Sequence, residues 1–385
     1  MVKLTEDDVE KKQPLLEPDT DTALESETTF ARLVHLFISR KGKKHDPTLH
    51  IPQTSEKRLR SAAHDSALDV DTLLHDHGAK PKPTAKPILE KGAEETVLYL
   101  AYGSNMSAQT FRKTRGIVPV SQVSVSVPDL TLTFDLPGFP YMEPCFAGTK
   151  YRNHTPPDKT ELPLGTTAGP AQHSREQKWP KPLVGIVYEV TLSDYARIIA
   201  TEGGGASYID VVVDCHPFPD TYDPADPVPS TPSTPPFKAH TLLSPSSSSP
   251  ATSTDSKPNN NPRHTRPATD RPAQPSPRYK SLLITGAREH DLPTEYRAYL
   301  SSIPAYRITS TRQQVGKFVM LTVWAPPVLV LMLLGSLLAD EKGRAPGWVA
   351  ACQRRLFGGM WWWYDCFAKG MFGDGERTVE GRVGL

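Results

Sequence analysis

The sequence predicts an α+β domain that is surrounded and interrupted by segments unable to pack. Runs of Val, Ile, Leu, Tyr and Thr, separated by turns and two short helical stretches, fill residues 97–218. Only 37% of the 385 residues are apolar and 39 are proline, too little apolar surface for a core that includes the whole chain. A third feature is the uncharged stretch 318–338. One modest domain with a polar N-terminal region and an apolar tail explains these observations.

Charge, cysteine content and the N-terminal sequence limit the classes of function. A formal net charge of +1 does not provide the strongly basic surface of nucleic-acid-binding domains, so we expect no nucleic acid partner. The four cysteines show no CxxC spacing and no histidine clustering, which argues against a structural zinc site and a disulfide framework. The first residues, MVKLTEDDVEKKQ, are acidic and lack the apolar stretch of a signal peptide. We therefore expect reduced cysteines and a cytoplasmic catalytic domain.

Residues 1–90 are rich in Asp, Glu, Lys, His, Thr and Pro, and we predict that they are mostly disordered. One stretch, TTFARLVHLFISRKGKKH, has apolar residues at helical spacing followed by basic residues. It fits either a short helix that touches a membrane surface or a helix that forms transiently in solvent.

Five strands and two helices are predicted in the first part of the domain, which we assign to residues 91–305. The helices cover residues 107–115 and 193–202, and a loop rich in Pro, Gly and Thr fills residues 152–182. The predicted strands are VLYLAYG, VSVSV, LTLTFDL, LVGIVYEV and YIDVVVDC. This order of elements is typical of an α+β domain.

A low-complexity insertion, residues 216–277, interrupts the domain. Its many prolines and serines resist packing, although FKAHTLL within it fits a strand. Structure resumes at SPRYKSLLITGAREHDLPTEYRAYLSSI, where Ser276 can cap a helix that begins at Pro277. A second short helix after Pro293 closes the domain.

The tail, residues 306–385, has the composition of a membrane-associated segment. Its uncharged stretch 318–338 is just long enough to cross a bilayer core of roughly 30 Å, but Pro326 and Pro327 are expected to kink or break a helix there. A membrane span, a re-entrant or interfacial hairpin, and a buried hairpin of the domain are the alternatives. We favour membrane contact through residues 318–370, because aromatic and basic residues follow the stretch as in an interfacial belt. These residues are Trp348, Arg354, Arg355, Trp361, Trp362, Trp363 and Lys369.

The loop after the first strand, in VLYLAYGSNM, contains the first candidate site residues. A strand that runs into Gly103, followed by a helix near residue 107, places backbone N–H groups where an anion or a developing oxyanion can bind. Gly103 lets a ligand approach the backbone, while Tyr102 and Asn105 supply a wall and orienting hydrogen bonds. The short pattern also fits an ordinary strand-to-helix turn.

Glu202 is the second candidate, at the end of the helix in LSDYARIIATEGGG. The negative end of the helix dipole and burial beside the glycine turn are both expected to raise the pKa of its carboxyl group, as suits a general acid or base. A solvated surface glutamate is the alternative. No histidine spacing indicates a metal ligand, and no G-x-S-x-G nucleophile motif occurs in the sequence.

Three blocks together resemble the γ-glutamylcyclotransferase family in its eukaryotic, fungal-like form: VLYLAYGSNM, LVGIVYEVTLSDYARIIATEGG and SPRYKSLLITGAREHDLPTEYRAYLSSI. The resemblance implies a small, partly closed barrel of mixed strands with flanking helices. It assigns acid/base catalysis to Glu202. It assigns substrate binding to Tyr102, Gly103, Ser104, Asn105, Met106 and Tyr279. The sequence departs from the family at Met106, where leucine is usual, and simple apolar packing is the alternative for Tyr279.

The resemblance also implies the reaction. A γ-glutamyl small molecule, either a glutathione-like peptide or another conjugate, releases 5-oxoproline when its α-amine attacks its own γ-carbonyl, so no cofactor or metal is needed. Two alternatives keep the fold: a catalytically inactive, membrane-associated interaction protein, and a γ-glutamyl-amine cyclotransferase of secondary metabolism. The presence of Glu202 argues against the inactive form. The sequence indicates neither the oligomeric state nor the physiological substrate.

Overall fold

Five strands form a closed barrel at the centre of the fold, and two more strands form a separate hairpin. The computed structural model describes residues 51–68, 73, 95–152, 179–201, 209–243, 272–338 and 346–379, all within one unit. The strands are β1 (Thr96–Ala101), β2 (Ser121–Val127), β3 (Leu130–Phe139), β4 (Glu143–Tyr151), β5 (Leu183–Thr191), β6 (Ile209–Pro217) and β7 (Phe237–Leu243).

The barrel contains both antiparallel and parallel pairs, in the order β1, β5, β2, β6 and β7. β7 closes the barrel beside β1 in parallel, with Tyr99 opposite His240, while the other barrel pairs are antiparallel. β1 and β5 read as nearly continuous apolar runs because both of their faces are buried. The predicted α+β class and the small mixed barrel are therefore confirmed.

Helices flank the barrel and follow it. The α-helices are α1 (Glu56–Ser61), α2 (Leu192–Thr201), α3 (Pro277–Glu289), α4 (Thr294–Ser302), α5 (Thr311–Leu337), α6 (Gly347–Trp363) and α7 (Lys369–Phe372). Short 3₁₀ turns occupy Ala62–His64 and Ser104–Met106, and π-helices occupy Gln109–Thr114 and Tyr364–Ala368. The predicted helix pair with Ser276 as its cap corresponds to α3 and α4.

The β3–β4 hairpin includes β4, the one described strand that was not predicted from the sequence. β4 pairs with β3 from Tyr151 opposite Leu130 to Glu143 opposite Phe139. Its sequence, EPCFAGTKY, contains a proline and a glycine, both unfavourable in strands. Because β4 pairs with β3 alone among the described strands, it is an edge strand and tolerates them.

Part of the predicted insertion, residues 216–277, belongs to the barrel. Its predicted strand FKAHTLL is confirmed as β7, which pairs with β6 along its whole length. Between these strands, His216 Nδ1 lies 2.7 Å from Thr234 O, which links the two ends of the proline-rich connection. Residues 244–271 lie outside the described residues.

The prediction of disorder across residues 1–90 is wrong for residues 51–68. This segment exchanges backbone hydrogen bonds with Gln122 of β2 and contains α1. Arg58 Nε donates to Glu189 Oε1 of β5 at 3.1 Å. Burial raises the pKa of Glu189, but its hydrogen bonds and the Arg58 guanidinium outweigh this and lower it below the usual value. Backbone pairing, the Arg58–Glu189 ion pair and the burial of Ala62 in the main core hold the segment. The predicted helix at residues 30–44 lies outside the described residues.

Of the two expected effects of the tail prolines, a kink or a break, the break does not occur. α5 continues through Pro326 and Pro327 as a single element. α6 returns antiparallel beside it, since Gln353 Nε2 donates to Leu331 O at 3.4 Å while Trp363 lies against Trp324 nearer the start of α5. The tail is therefore a helical pair that packs on the domain along part of its surface.

The predicted belt of tryptophans is divided between the protein interior and its surface. Trp361 is 4% exposed and belongs to a buried cluster, whereas Trp348 and Trp362 are 56% and 62% exposed. Trp361 lies one residue before Trp362 on α6, so the two side chains point in different directions around the helix. Composition alone could not separate them.

Candidate active site

The YGSN loop, residues 102–106, continues from β1 and is anchored to two strands. Tyr102 is buried, and its hydroxyl donates to the carbonyl oxygen of Leu242 in β7 at 2.8 Å. Asn105 is also buried, and its Nδ2 atom donates to the hydroxyl of Tyr99 in β1 at 2.8 Å. These two candidate substrate-binding side chains therefore also fix the loop against the barrel.

The backbone of the loop differs from the predicted helix start. Instead of an α-helix near residue 107, a 3₁₀ turn over Ser104–Met106 precedes a π-helix. The Met106 N–H donates to Gly103 O at 3.0 Å, and the Ser107 N–H donates to Ser104 O at 3.1 Å. Both groups are engaged within the turn, so the predicted row of anion-binding donors ends before Met106.

Tyr279 lies beside the YGSN loop. Ser276 accepts a hydrogen bond from the Tyr279 N–H at 3.0 Å, which places Tyr279 in the first turn of α3. The Tyr279 hydroxyl accepts from the N–H of Ala147 in β4 at 3.1 Å. The same oxygen lies 3.3 Å from the position that a β-carbon would occupy on Gly103. A side chain at this position would press on the hydroxyl, so glycine allows the approach.

Helix α3 packs directly on the same loop through Gly286. A β-carbon on Gly286 would lie 2.7 Å from the carbonyl carbon and Cβ of Met106 and from the N atom of Ser107. These separations are well below the 3.5–4.0 Å of a normal nonbonded contact. The absence of a side chain at Gly286 therefore sets the distance between α3 and the loop.

His290 and Tyr188 hold the last residue of the loop. His290 Nε2 lies 3.0 Å from Met106 O and 2.7 Å from the Tyr188 hydroxyl. Burial lowers the pKa of His290 to about 4, so its ring is neutral at pH 7. The Met106 side chain is fully buried as well. Neither partner was predicted from the sequence. His290 lies in the third motif block, whereas nothing in the apolar pattern of β5 marks Tyr188.

A buried carboxyl group, Asp210 of β6, was also missed. The Tyr195 hydroxyl of α2 donates to Asp210 Oδ1 at 2.6 Å, and His240 Nδ1 of β7 lies 3.1 Å from Oδ2. The N–H of Leu68 donates to the same oxygen at 3.3 Å. Burial, and then the nearby Asp210, raises the pKa of Tyr195 well above its usual value. The Tyr195–Asp210 bond joins the elements on either side of residues 202–208.

Glu202 lies outside the described residues, directly after Thr201, the last residue of α2. The structure therefore brings Gly103 and Tyr279 together, and its described part does not include the predicted acid/base. Among the described residues, no three His, Cys, Asp or Glu side chains cluster in a way that could hold a metal ion.

This chain is similar in sequence to proteins of known family. The γ-glutamyl cyclotransferase aclK of Aspergillus oryzae is 31% identical to it over 305 residues, which make up 78% of this chain and 97% of the relative. The chain belongs to the γ-glutamyl cyclotransferase family. A second γ-glutamyl cyclotransferase, gliK of Aspergillus fumigatus, is 30% identical over 281 residues, covering 73% of this chain and 89% of the relative. The predicted family resemblance and catalytic class are thus confirmed.

The tail of this γ-glutamyl cyclotransferase family member matches a domain of its own. The family model described as the AclK C-terminal domain matches residues 310–369, which comprise α5, α6 and most of the helical segment after them. A solved γ-glutamyl cyclotransferase structure aligns with 59% of this chain and 99% of its own, at 16% identity and a TM-score of 0.35. The family assignment rests on the sequence relatives and not on this structure.

Proposed function

We propose that the protein releases 5-oxoproline from γ-glutamyl amides, by attack of the substrate's α-amine on its γ-carbonyl. Family membership supports the reaction class. One contact favours this site: the Tyr279 hydroxyl lies 3.3 Å from the position that a β-carbon would occupy on Gly103. Two groups that the family resemblance assigns to substrate binding lie together there, although they are far apart in the chain.

The YGSN loop and Tyr279 fold the substrate in this proposal. Attack by the α-amine closes a five-membered lactam, so both reacting groups belong to one molecule and must only be held in a bent conformation. Such positioning can supply on the order of 7 to 11 kcal/mol of the barrier at its limit. The N–H groups of Gly103 to Asn105 bind either the α-carboxylate or the oxyanion that forms on the γ-carbonyl.

Glu202 transfers the proton. Its carboxylate accepts a proton from the α-ammonium group, the amine nitrogen bonds to the γ-carbon, and the γ-carbon to nitrogen bond of the amide breaks. That proton then passes to the departing nitrogen. The attacking nitrogen loses a second proton by the same route, so the lactam N–H is neutral, the released amine leaves as an ammonium ion, and atoms and charge balance without water. No oxidation state changes, and the reaction therefore requires no redox cofactor.

The substrate is either a glutathione-like peptide or a larger γ-glutamyl conjugate of secondary metabolism. The second substrate class is favoured by the similarity to aclK and gliK over most of their lengths, together with the C-terminal domain. A catalytically inactive interaction protein with the same fold is the competing interpretation. Assays of the full-length protein separate these cases.

The test incubates full-length protein with γ-glutamyl-alanine, γ-glutamylcysteine, glutathione and an S-aryl glutathione conjugate, and measures 5-oxoproline by mass spectrometry. We expect release from at least one substrate, with the free amine formed in equal amount. A preference for the aryl conjugate supports the larger substrate class. Folded protein that releases 5-oxoproline from none of the four contradicts the proposal.

We also propose that the C-terminal helices make peripheral contact with a membrane. The helix Thr311–Gly335 is long and apolar enough to cross a bilayer, and only 22% of its most apolar window is buried. Phe318 and Trp362 are exposed by 67% and 62%. However, Arg354 and Arg355 are exposed on α6, which disfavours deep insertion of the helical pair.

Flotation with vesicles that contain phosphatidylserine tests this contact. Wild-type protein is expected to float with the vesicles, and a Phe318→Ser, Trp362→Ser double variant is expected to remain at the bottom of the gradient. Carbonate treatment should release the bound wild type, as for a peripheral protein. Failure of the wild type to float rejects the membrane proposal, and resistance to carbonate would instead indicate insertion.

A further inference from the structure

The turn of the β3–β4 hairpin is enclosed by the end of the chain. Tyr141, in this turn, has a φ of 65°, in the left-handed region that residues other than glycine seldom adopt. Its N–H donates to Gly375 O at 2.8 Å. Its hydroxyl lies 2.9 Å from Gly373 O and 3.1 Å from Ala368 O, within donating distance of both. Backbone and side chain of one residue thus bind the returning chain.

Apolar packing strengthens this attachment. The rings of Tyr141 and Tyr364 meet edge to face, with their centroids 5.7 Å apart. The buried residues of the cluster come from the hairpin, from α5 and from α6 with its π-helical extension. They are Phe139, Tyr141, Met320, Met360, Trp361, Tyr364 and Ala368. The hairpin turn and the C-terminal helices therefore form a single packed body.

The hairpin continues from this body to the candidate active site. Glu143, at the start of β4, accepts a hydrogen bond from the Ser276 hydroxyl that caps α3. Further along β4, the Ala147 N–H donates to the Tyr279 hydroxyl at 3.1 Å. Phe146 meets the Tyr279 ring edge to face, with centroids 5.2 Å apart. β4 thus contacts both the cap and the candidate substrate-binding tyrosine of α3.

The hairpin is held by contacts outside its own two strands. Leu130, Leu132 and Ala147 lie in the main core, and the turn lies against the C-terminal helices. Among the described strands, β3 and β4 pair only with each other. An isolated two-stranded sheet is marginally stable in water, so its partners must fix its place. Tyr141 holds the turn against the returning chain, and further along β4 the Ala147 N–H donates to the Tyr279 hydroxyl.

We propose that Tyr141 is a positioning residue for the cyclotransferase reaction. By tying the β3–β4 turn to the C-terminal domain, it holds Ala147 where its N–H fixes the Tyr279 hydroxyl beside Gly103. The C-terminal domain therefore takes part in shaping the substrate site. This inference rests on the proposed function for its kinetic readout, because it treats Tyr279 as a substrate contact.

A double-mutant cycle on the full-length protein tests the inference. Tyr279→Phe is expected to raise KM for the preferred γ-glutamyl substrate about tenfold, through loss of the hydroxyl. Tyr141→Phe removes only the bonds of the hydroxyl to Ala368 O and Gly373 O. It should raise KM about fivefold, with kcat nearly unchanged. If Tyr141 acts through Tyr279, adding Tyr141→Phe to Tyr279→Phe raises KM further by less than about twofold.

Val349→Ala is the matched control. Val349 is fully buried near the start of α6 and is not a member of the cluster around Tyr141. The substitution should lower the melting temperature by at least as much as Tyr141→Phe, and change KM by less than about twofold in either background. Two results overturn the inference: Tyr141→Phe raises KM equally in the wild-type and Tyr279→Phe backgrounds, or Tyr141→Phe alone leaves KM unchanged.

Amide hydrogen exchange gives a readout that does not depend on catalysis. Tyr141→Phe is expected to speed exchange in β4 and in the first turn of α3, whereas Val349→Ala is expected to leave both unchanged. If the wild type releases no 5-oxoproline, the proposed function fails and this measurement still decides the structural link. Unchanged exchange at Ala147 in Tyr141→Phe rejects that link.

Discussion

Replacing Glu202 with glutamine is expected to lower kcat for 5-oxoproline release by about 10³-fold, since general acid–base catalysis typically contributes 10² to 10⁴. In the proposed reaction each proton lost by the α-amine nitrogen passes to the carboxylate and then to the departing amine. Glutamine keeps the size of the side chain but cannot carry that proton at neutral pH. Binding does not use this transfer, so KM should change less than about threefold.

Glu295→Gln is the matched control for this variant. Glu295 lies in the first turn of α4, where it pairs with Lys181 at 2.7 Å and accepts a hydrogen bond from the Val228 N–H. The control loses the same charge and is expected to keep kcat. Circular dichroism and melting temperature verify folding of both variants. If Glu202→Gln keeps kcat within about fivefold of wild type, another group transfers the proton.

Local sequence patterns were sufficient for most of the barrel, because its strands are apolar runs bounded by turns. FKAHTLL shows their limit: the strand was recognised, but its proline-rich surroundings suggested an insertion and not the closing strand of the barrel. β4 was missed because Pro144 and Gly148 oppose strand formation locally, and only pairing with β3 compensates. Such compensation is a tertiary effect that propensity does not contain.

Some residues of the candidate site could also be predicted from local sequence, and others only from the fold. The YGSN loop and Tyr279 were identified through motif blocks, and the structure places Gly103 against Tyr279. Ala147 could not be predicted from the sequence, because it contributes a backbone N–H, which every residue except proline carries. His290 and Asp210 become notable only through burial, and burial depends on the packed fold. The sequence thus identified candidate substrate-binding residues more readily than the groups that hold them in place.

Gly286→Ala is the second variant for which we expect a large effect. The added methyl group would lie 2.7 Å from the Met106 and Ser107 backbone, so α3 and the YGSN loop must separate. Overpacking of this kind costs about 1 to 3 kcal/mol of unfolding free energy, against a gain of about 1 kcal/mol from replacing a helical glycine. We expect a net loss of about 2 kcal/mol at the upper end of that range.

The same separation should reduce catalysis more than stability. Tyr279 lies on the helix that moves, and Gly103 lies on the loop from which it moves away. A misplacement of about 1 Å between groups that hold a substrate can cost about 10²-fold in rate, so we expect kcat/KM to fall by that order. Urea unfolding and steady-state kinetics on the same preparation measure the two effects.

Gly359→Ala separates close packing at Gly286 from the general cost of changing a helical glycine. Gly359 is also inside an α-helix, but a β-carbon there would lie 3.8 Å from the Trp324 ring, an ordinary contact. This variant should therefore gain up to about 1 kcal/mol of stability and keep kcat/KM. If Gly286→Ala behaves like Gly359→Ala, the loop and α3 do not require their close approach. The proposal that Gly103 and Tyr279 must lie close together to hold the substrate would then be contradicted.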